Sequence, residues 1–220
     1  MSKLPKLEEL DIDGAIQEAA AKVDPQTRAS FLKKAGVGAG VLVAGSAFAG
    51  AVPSIARGQA IPASDIAILN FALTLEYLEG EFYAIANQNK VWGSNARLRR
   101  FSMVVAQHEN THVKFLQGVL GAKAVAKPKF DFKDTVTNVE KFAATAQALE
   151  DTGVHAYLGQ VPNIKAKAVL VPAGRIALVE ARHAAWIRDV RGVNPAPEAS
   201  EPTVAPARVA EILKGSGYVS

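Results

Sequence analysis

Cysteine is absent from the 220-residue chain. That excludes disulfides, thiol nucleophiles, thiolate-bound zinc and iron–sulfur clusters. Any metal ion must be held by His, Glu and Asp, a donor set suited to iron, manganese or zinc. A strong excess of one charge is also missing: 25 Lys and Arg stand against 21 Asp and Glu, for a formal net charge of +4. The densest basic run, Arg97, Arg99 and Arg100, reads as a solvated helix face, and no segment concentrates enough charge to recruit nucleic acid. Aromatic residues make up only 7% of the chain, and no useful length of strand alternation occurs. What remains is 49% hydrophobic and rich in alanine, which suits closely packed helices. The expected fold class is all-α.

Residues 1–60 read as a segment apart from the fold. Residues 1–26 are polar and mixed in charge. They lead into Thr27-RASFLKK-Ala35 and then an uncharged Gly-, Ala- and Val-rich run over residues 35–52. A basic stretch, an apolar stretch and small residues at Ala47 and Ala49 make the layout of a signal peptide or anchor. The pattern resembles a twin-arginine export signal, S/T-R-R-x-F-L-K. Thr27, Arg28, Phe31, Leu32 and Lys33 match it, while Ala29 stands where the second arginine belongs. The run is shorter than the roughly 20 residues of a spanning helix. The expectation is export to the periplasm or cell envelope, with residues 35–52 as the point of membrane association.

From residue 61 the pattern is helical. Ser64 and Asp65 suggest an N-cap before DIAILNFALTLEYLEGEFYAIANQ, with a connection from Asn87 to Asn95. A second segment runs from about 96 to 120 and stops at Gly121. A third runs from about 134, with Asp134 as cap, to 160, before Pro162. A fourth runs from about 172, with Pro172 in its first turn, to Gly192. Residues 61–192 thus form a bundle of four helices. Residues 193–220 are a Pro-rich tail in which ARVAEILKG adds one short helix.

Carboxylates interrupt the apolar faces in a repeating way. Glu76 lies on the first segment, Glu109 and His112 on the second, Glu150 on the third, and Glu180 and His183 on the fourth. Each Glu-x-x-His spans one turn, so both side chains share a face. Tyr83 follows Glu76 by seven residues, and Tyr157 follows Glu150 by seven. Segments 1–2 therefore read as a copy of segments 3–4. One Glu from each of two helices and a Glu-x-x-His from each of the other two is the inventory of a di-iron or di-manganese bundle site. Four carboxylates cancel the charge of two divalent cations in a core that tolerates no unpaired charge. One neutral imidazole per ion completes the set. Glu79, one turn from Glu76, is the alternative first-helix ligand; Glu76 is preferred because it keeps the seven-residue step to tyrosine.

The phrases LNFALTLEYLEGEFY, AQHENTHVKFL, ALEDTGVHAYLG and VEARHAAW resemble the ferritin-like superfamily, in its exported bacterial, desiccation-related group. The resemblance covers residues 64–191. It implies a ferritin-like four-helix bundle with two iron ions, or two manganese ions, at the six residues. Glu109 and Glu180 would bridge the ions, with Glu76 and Glu150 terminal. Tyr83 and Tyr157 would stand behind the ligands, each bonding a carboxylate across the bundle, with core packing as their plainer role. The implied reaction partners are Fe(II), dioxygen or peroxide in stress protection, of ferroxidase, peroxidase or catalase type. A homo-oligomer is compatible with this reading.

Two other readings stay open. A non-catalytic envelope protein could use the same bundle to protect other proteins during drying. HENTH, residues 108–112, also fits the zinc hydrolase pattern His-Glu-x-x-His, with Glu109 as general base. That pattern needs a third ligand, and Gly118 stands six residues past His112. His108 and His155 have no partner in the repeat: His108 is expected beside the site, His155 beside it or at the surface, Glu81 in solvent, and Trp92 and Trp186 in packing.

Overall fold

The computed structural model describes residues 61–218. The expected signal or anchor, including residues 35–52, falls in a part of the chain outside the described residues. Four long helices, α1 (Ala63–Asn89), α2 (Ala96–Leu120), α3 (Val139–Gln160) and α4 (Lys167–Val190), are followed by a shorter α5 (Pro206–Ser216). The fold class is all-α, and no strand occurs among the described residues. No described helix is long and apolar enough to cross a membrane. α1 packs chiefly on α2, and α3 chiefly on α4, so the bundle consists of two helical hairpins laid together.

The helix boundaries are set by local chemistry. Lys90 leaves α1 in the left-handed region at φ 52°. The Asn95 side chain accepts a hydrogen bond from the Leu98 amide at 3.0 Å and starts α2. Gly121 ends that helix at φ 53°, a backbone angle that favours glycine.

Three expected boundaries move. Asp65 does not cap α1, which starts at Ala63 after Pro62. Its buried carboxylate instead accepts from the amides of Lys165 and Ala166, at 3.1 and 2.8 Å. These bonds from across the bundle hold the chain just before α4, which starts at Lys167, so Pro172 sits inside the helix rather than at its first position. Pro172 lacks an amide proton and costs the helix one hydrogen bond. Asp134 likewise does not cap α3. It belongs to a short 3-10 turn, Lys133–Val136. Asn138 caps the helix by accepting from the Glu140 and Lys141 amides.

Two apolar clusters fill the bundle. One, with Leu78, Phe82, Tyr83, Phe101, Phe142 and Ile187, joins the later half of α1 to the early half of α2. The other, with Leu69, Leu73, Phe115, Leu116, Tyr157 and Ile176, joins the opposite halves. Trp92 lies in the first cluster and Trp186 packs edge-on against Phe101, as packing residues. The tail docks on α3. The Val204 amide donates to the His155 carbonyl at 3.1 Å, and the Val204 carbonyl crosses so close to Gly159 that a Cβ there would meet it at 2.6 Å. Val209 of α5 is buried with Leu75 and Ala156.

Candidate metal centre

Between the two apolar clusters, at mid-height, the bundle interior turns polar. α1 brings Glu76, α2 brings Glu109 and His112, α3 brings Glu150, and α4 brings Glu180 and His183. All six side chains are buried, none more than 2% exposed. Their placement follows from helical periodicity: each occupies a position that would otherwise carry a core residue such as Leu73, Leu116 or Ile176.

The donors converge in two groups. Glu76, Glu109, His112 and Glu180 form one; Glu109, Glu150, Glu180 and His183 form the other. Within each group one donor atom per residue lies within 4.8 Å of all the others. His112 Nδ1 stands 3.2 Å from Glu76, 3.1 Å from Glu109 and 3.0 Å from Glu180. His183 Nδ1 stands 3.1 Å from Glu109, 3.1 Å from Glu150 and 3.5 Å from Glu180. A ring nitrogen carries at most one proton, so it cannot satisfy three carboxylates. Glu109 Oε1 and both oxygens of Glu180 are accordingly buried with no hydrogen bond. Donors at about 2.1 Å from an octahedral cation stand about 3.0 Å from their neighbours. The observed spacings match that figure, and the residues present fit a pair of divalent cations.

Around the six stands a partly symmetric surround. The Tyr83 hydroxyl donates to Glu150, from α1 to α3, and the Tyr157 hydroxyl donates to Glu76, from α3 to α1. The exchange mirrors the repeat seen in the sequence. Two residues break the symmetry. His108 has Val179 as its counterpart in VEARH; its Nδ1 lies 2.8 Å from His183 Nε2, the nitrogen facing away from the carboxylates. His108 stands outside both donor groups, so HENTH contributes Glu109 and His112 rather than its two histidines. Glu79 has Gly153 as its counterpart, each three residues past the matching Glu. Glu79 is only 3% exposed and outside both groups. A Cβ at Gly153 would approach Glu79 Oε1 at 3.2 Å and Glu180 Oε2 at 3.7 Å. The missing side chain at Gly153 makes room for the Glu79 carboxylate. Laying TLEYLEGEFY over ALEDTGVHAY pairs these two residues. Glu81 turns outward to Lys127, and His155 faces Glu201 at 3.4 Å.

Electrostatics sort the carboxylates into two kinds. Burial raises Glu76 well above the carboxylate range and lifts Glu150 to about 8, despite the histidines beside them. Glu79 is raised by burial and then by its carboxylate neighbours. Glu109 and Glu180 are buried as deeply, but each faces both His112 and His183, which hold them below their usual range. Burial opposes charge on the two histidines, yet the carboxylates around them raise both. His108 goes the other way, lowered by burial and by His183. Burial, with Glu150 and Glu76 close by, keeps Tyr83 and Tyr157 protonated as donors.

The fold and this centre define a class: an all-α bundle whose core holds a carboxylate–histidine cluster able to bind metal ions. The pattern of the ferritin-like domain matches residues 64–193. That is more than half of the chain, and the protein belongs to the ferritin-like family. No curated protein matches it.

Proposed function

We propose that the protein is a di-metal carboxylate protein carrying two iron ions, or two manganese ions, that acts on Fe(II), dioxygen or peroxide in stress protection. One observation carries this reading: the two donor groups overlap, and the residues they share are Glu109 and Glu180. Two ions held in these groups would share Glu109 and Glu180. Glu76 with His112, and Glu150 with His183, would each complete the set of one ion. Such a pair of ions, when bound, would supply the redox chemistry.

The remaining residues prepare the site. Tyr83 and Tyr157 hold the terminal carboxylates in place from the opposite hairpin. His108, meeting Nε2 of His183, leaves Nδ1 of that ring to face the carboxylates, an outer partner of the kind that tunes a ligand. The flanking apolar clusters keep bulk water from the centre. The export reading belongs to this proposal through residues 27–52, whose layout supports a periplasmic or envelope location.

Metal analysis of natively expressed protein tests the reading. Iron or manganese near two ions per chain is expected, lost in Glu109→Ala and Glu180→Ala. Loaded protein should consume Fe(II) or peroxide. Protein that never holds either metal refutes the proposal, and loaded protein without turnover leaves a non-catalytic envelope role.

A further inference from the structure

A cavity of about 270 Å³ lies between α1, α3 and α5. Its rim is exposed, with Ala144 and Ala148 on α3 and Ile212 on α5. Its inner wall is buried and ends on Leu75, Leu78 and Glu79. Among the described residues, Glu79 is the only charged one lining it, and the hydroxyls of Thr145, Thr152, Ser216 and Tyr218 supply the other polar side chains.

Resting on the di-metal reading, we propose that this cavity is the port through which divalent cations reach the centre, with Glu79 as the carboxylate that hands them inward. Three observations carry it. First, Glu79 is only 3% exposed and takes no hydrogen bond and no ion pair among the described residues, so its carboxyl group is left to whatever enters the cavity it lines. Second, Glu79 lines the cavity and at the same time abuts Gly153, beside the shared Glu180. It therefore touches both the outer space and the centre. Third, the second half of the repeat carries glycine at this position, so the carboxylate serves one side of the bundle alone. Hard divalent cations take oxygen donors and exchange waters for hydroxyl and carboxylate oxygens. The port offers four hydroxyls along its length and one carboxyl group at its inner end, an oxygen ligand that gives up its proton when a cation binds it.

The test uses the whole chain and Co(II), whose visible absorption reports both the rate and the extent of binding. Ala148→Phe fills the rim at an exposed position, and Glu79→Gln keeps the shape of the inner end while removing the acid that an entering cation would deprotonate and bind. Both variants should load about tenfold or more slowly than the wild type, since a closed rim or a missing inner oxygen ligand raises the barrier to entry. Both should reach the same two ions per chain at equilibrium. A wild-type loading rate in either variant overturns the port. So does a Glu79→Gln chain that binds fewer ions at equilibrium, because Glu79 would then belong to the centre itself. Equilibrium binding in the wild type, and its loss in Glu109→Ala, tests the di-metal reading separately.

Discussion

Loading the centre with two divalent cations should expel about four protons. In the metal-free protein at neutral pH, Glu76 and Glu150 are protonated, because burial raises the first and lifts the second to about 8. His112 and His183 are cationic, raised by the carboxylates around them. Glu109 and Glu180 are ionised. Two negative and two positive groups leave the six ligands neutral as a set. The loaded centre has four carboxylates, two neutral imidazoles and two dications, and is also neutral. The exchange therefore balances at four protons, since ligands must lose theirs to bind. Each proton is worth about 1.4 kcal/mol per pH unit. Binding of the pair should strengthen by about 5 kcal/mol per unit up to the titration of Glu150, and less steeply above it. Calorimetric titration with Mn(II) in two buffers of different ionisation heat counts the protons directly. Release of about one proton or fewer would refute the charge assignment. Stability supplies a second readout of opposite sign. The raised groups Glu76, Glu150, His112 and His183 hold more protons folded than unfolded. Metal-free stability should therefore fall as pH rises from about 5 to 8. The contribution of the lowered pair, Glu109 and Glu180, is lost only below the ordinary carboxylate range. Metal-loaded protein should gain stability over the same window.

Asp65→Ala removes a buried acceptor from the two amides that start α4, and should destabilise the fold by about 1–3 kcal/mol, read from the urea midpoint. Tyr83→Phe and Tyr157→Phe each leave a buried carboxylate without its donor. Each should weaken metal binding by about 10- to 100-fold while keeping two ions per chain at saturation, checked by competition with a chelator. His108→Ala should keep full occupancy and weaken chiefly the ion held by His183, splitting one binding phase into two. An equal loss at both ions would contradict the one-sided contact with His183.

Much of the centre was legible in the sequence because it is built on long, regular helices. Glu109 and His112 lie one turn apart, and periodicity alone puts them on one face. The repeated seven-residue step from Glu76 to Tyr83 and from Glu150 to Tyr157 showed that two hairpins carry equivalent residues. The crossed tyrosine–carboxylate bonds follow from laying those hairpins together. What was not legible depends on contacts distant along the chain. Asp65 sits where a helix cap is expected, and its local neighbourhood gives no sign that its partners are amides a hundred residues on. The start of α4 was misplaced for the same reason, since Pro172 is a local signal and the bonds from Asp65 are not. Glu76 and Glu79 lie one turn apart, and the donor groups take in Glu76 and leave out Glu79. The room Glu79 occupies depends on Gly153, whose meaning lies in the side chain it lacks. The cavity beneath α5 depends on where the Pro-rich tail docks, which composition does not specify.

The overlap of the two donor groups has a mechanical consequence. Each group takes three residues from one hairpin and one from the other: Glu180 reaches across to the first, and Glu109 reaches across to the second. Contacts within each hairpin are extensive, while those between hairpins are sparser. The centre thus lies on the seam of the bundle, and a pair of ions there would act as two rivets driven from opposite sides. The chain's own ties across the seam are apolar packing, the two crossed tyrosine bonds, the Asp65 bonds to the amides before α4 and the His108–His183 contact. Loading would then tighten the whole molecule, with the hairpins losing freedom to slide past one another as the second rivet is set.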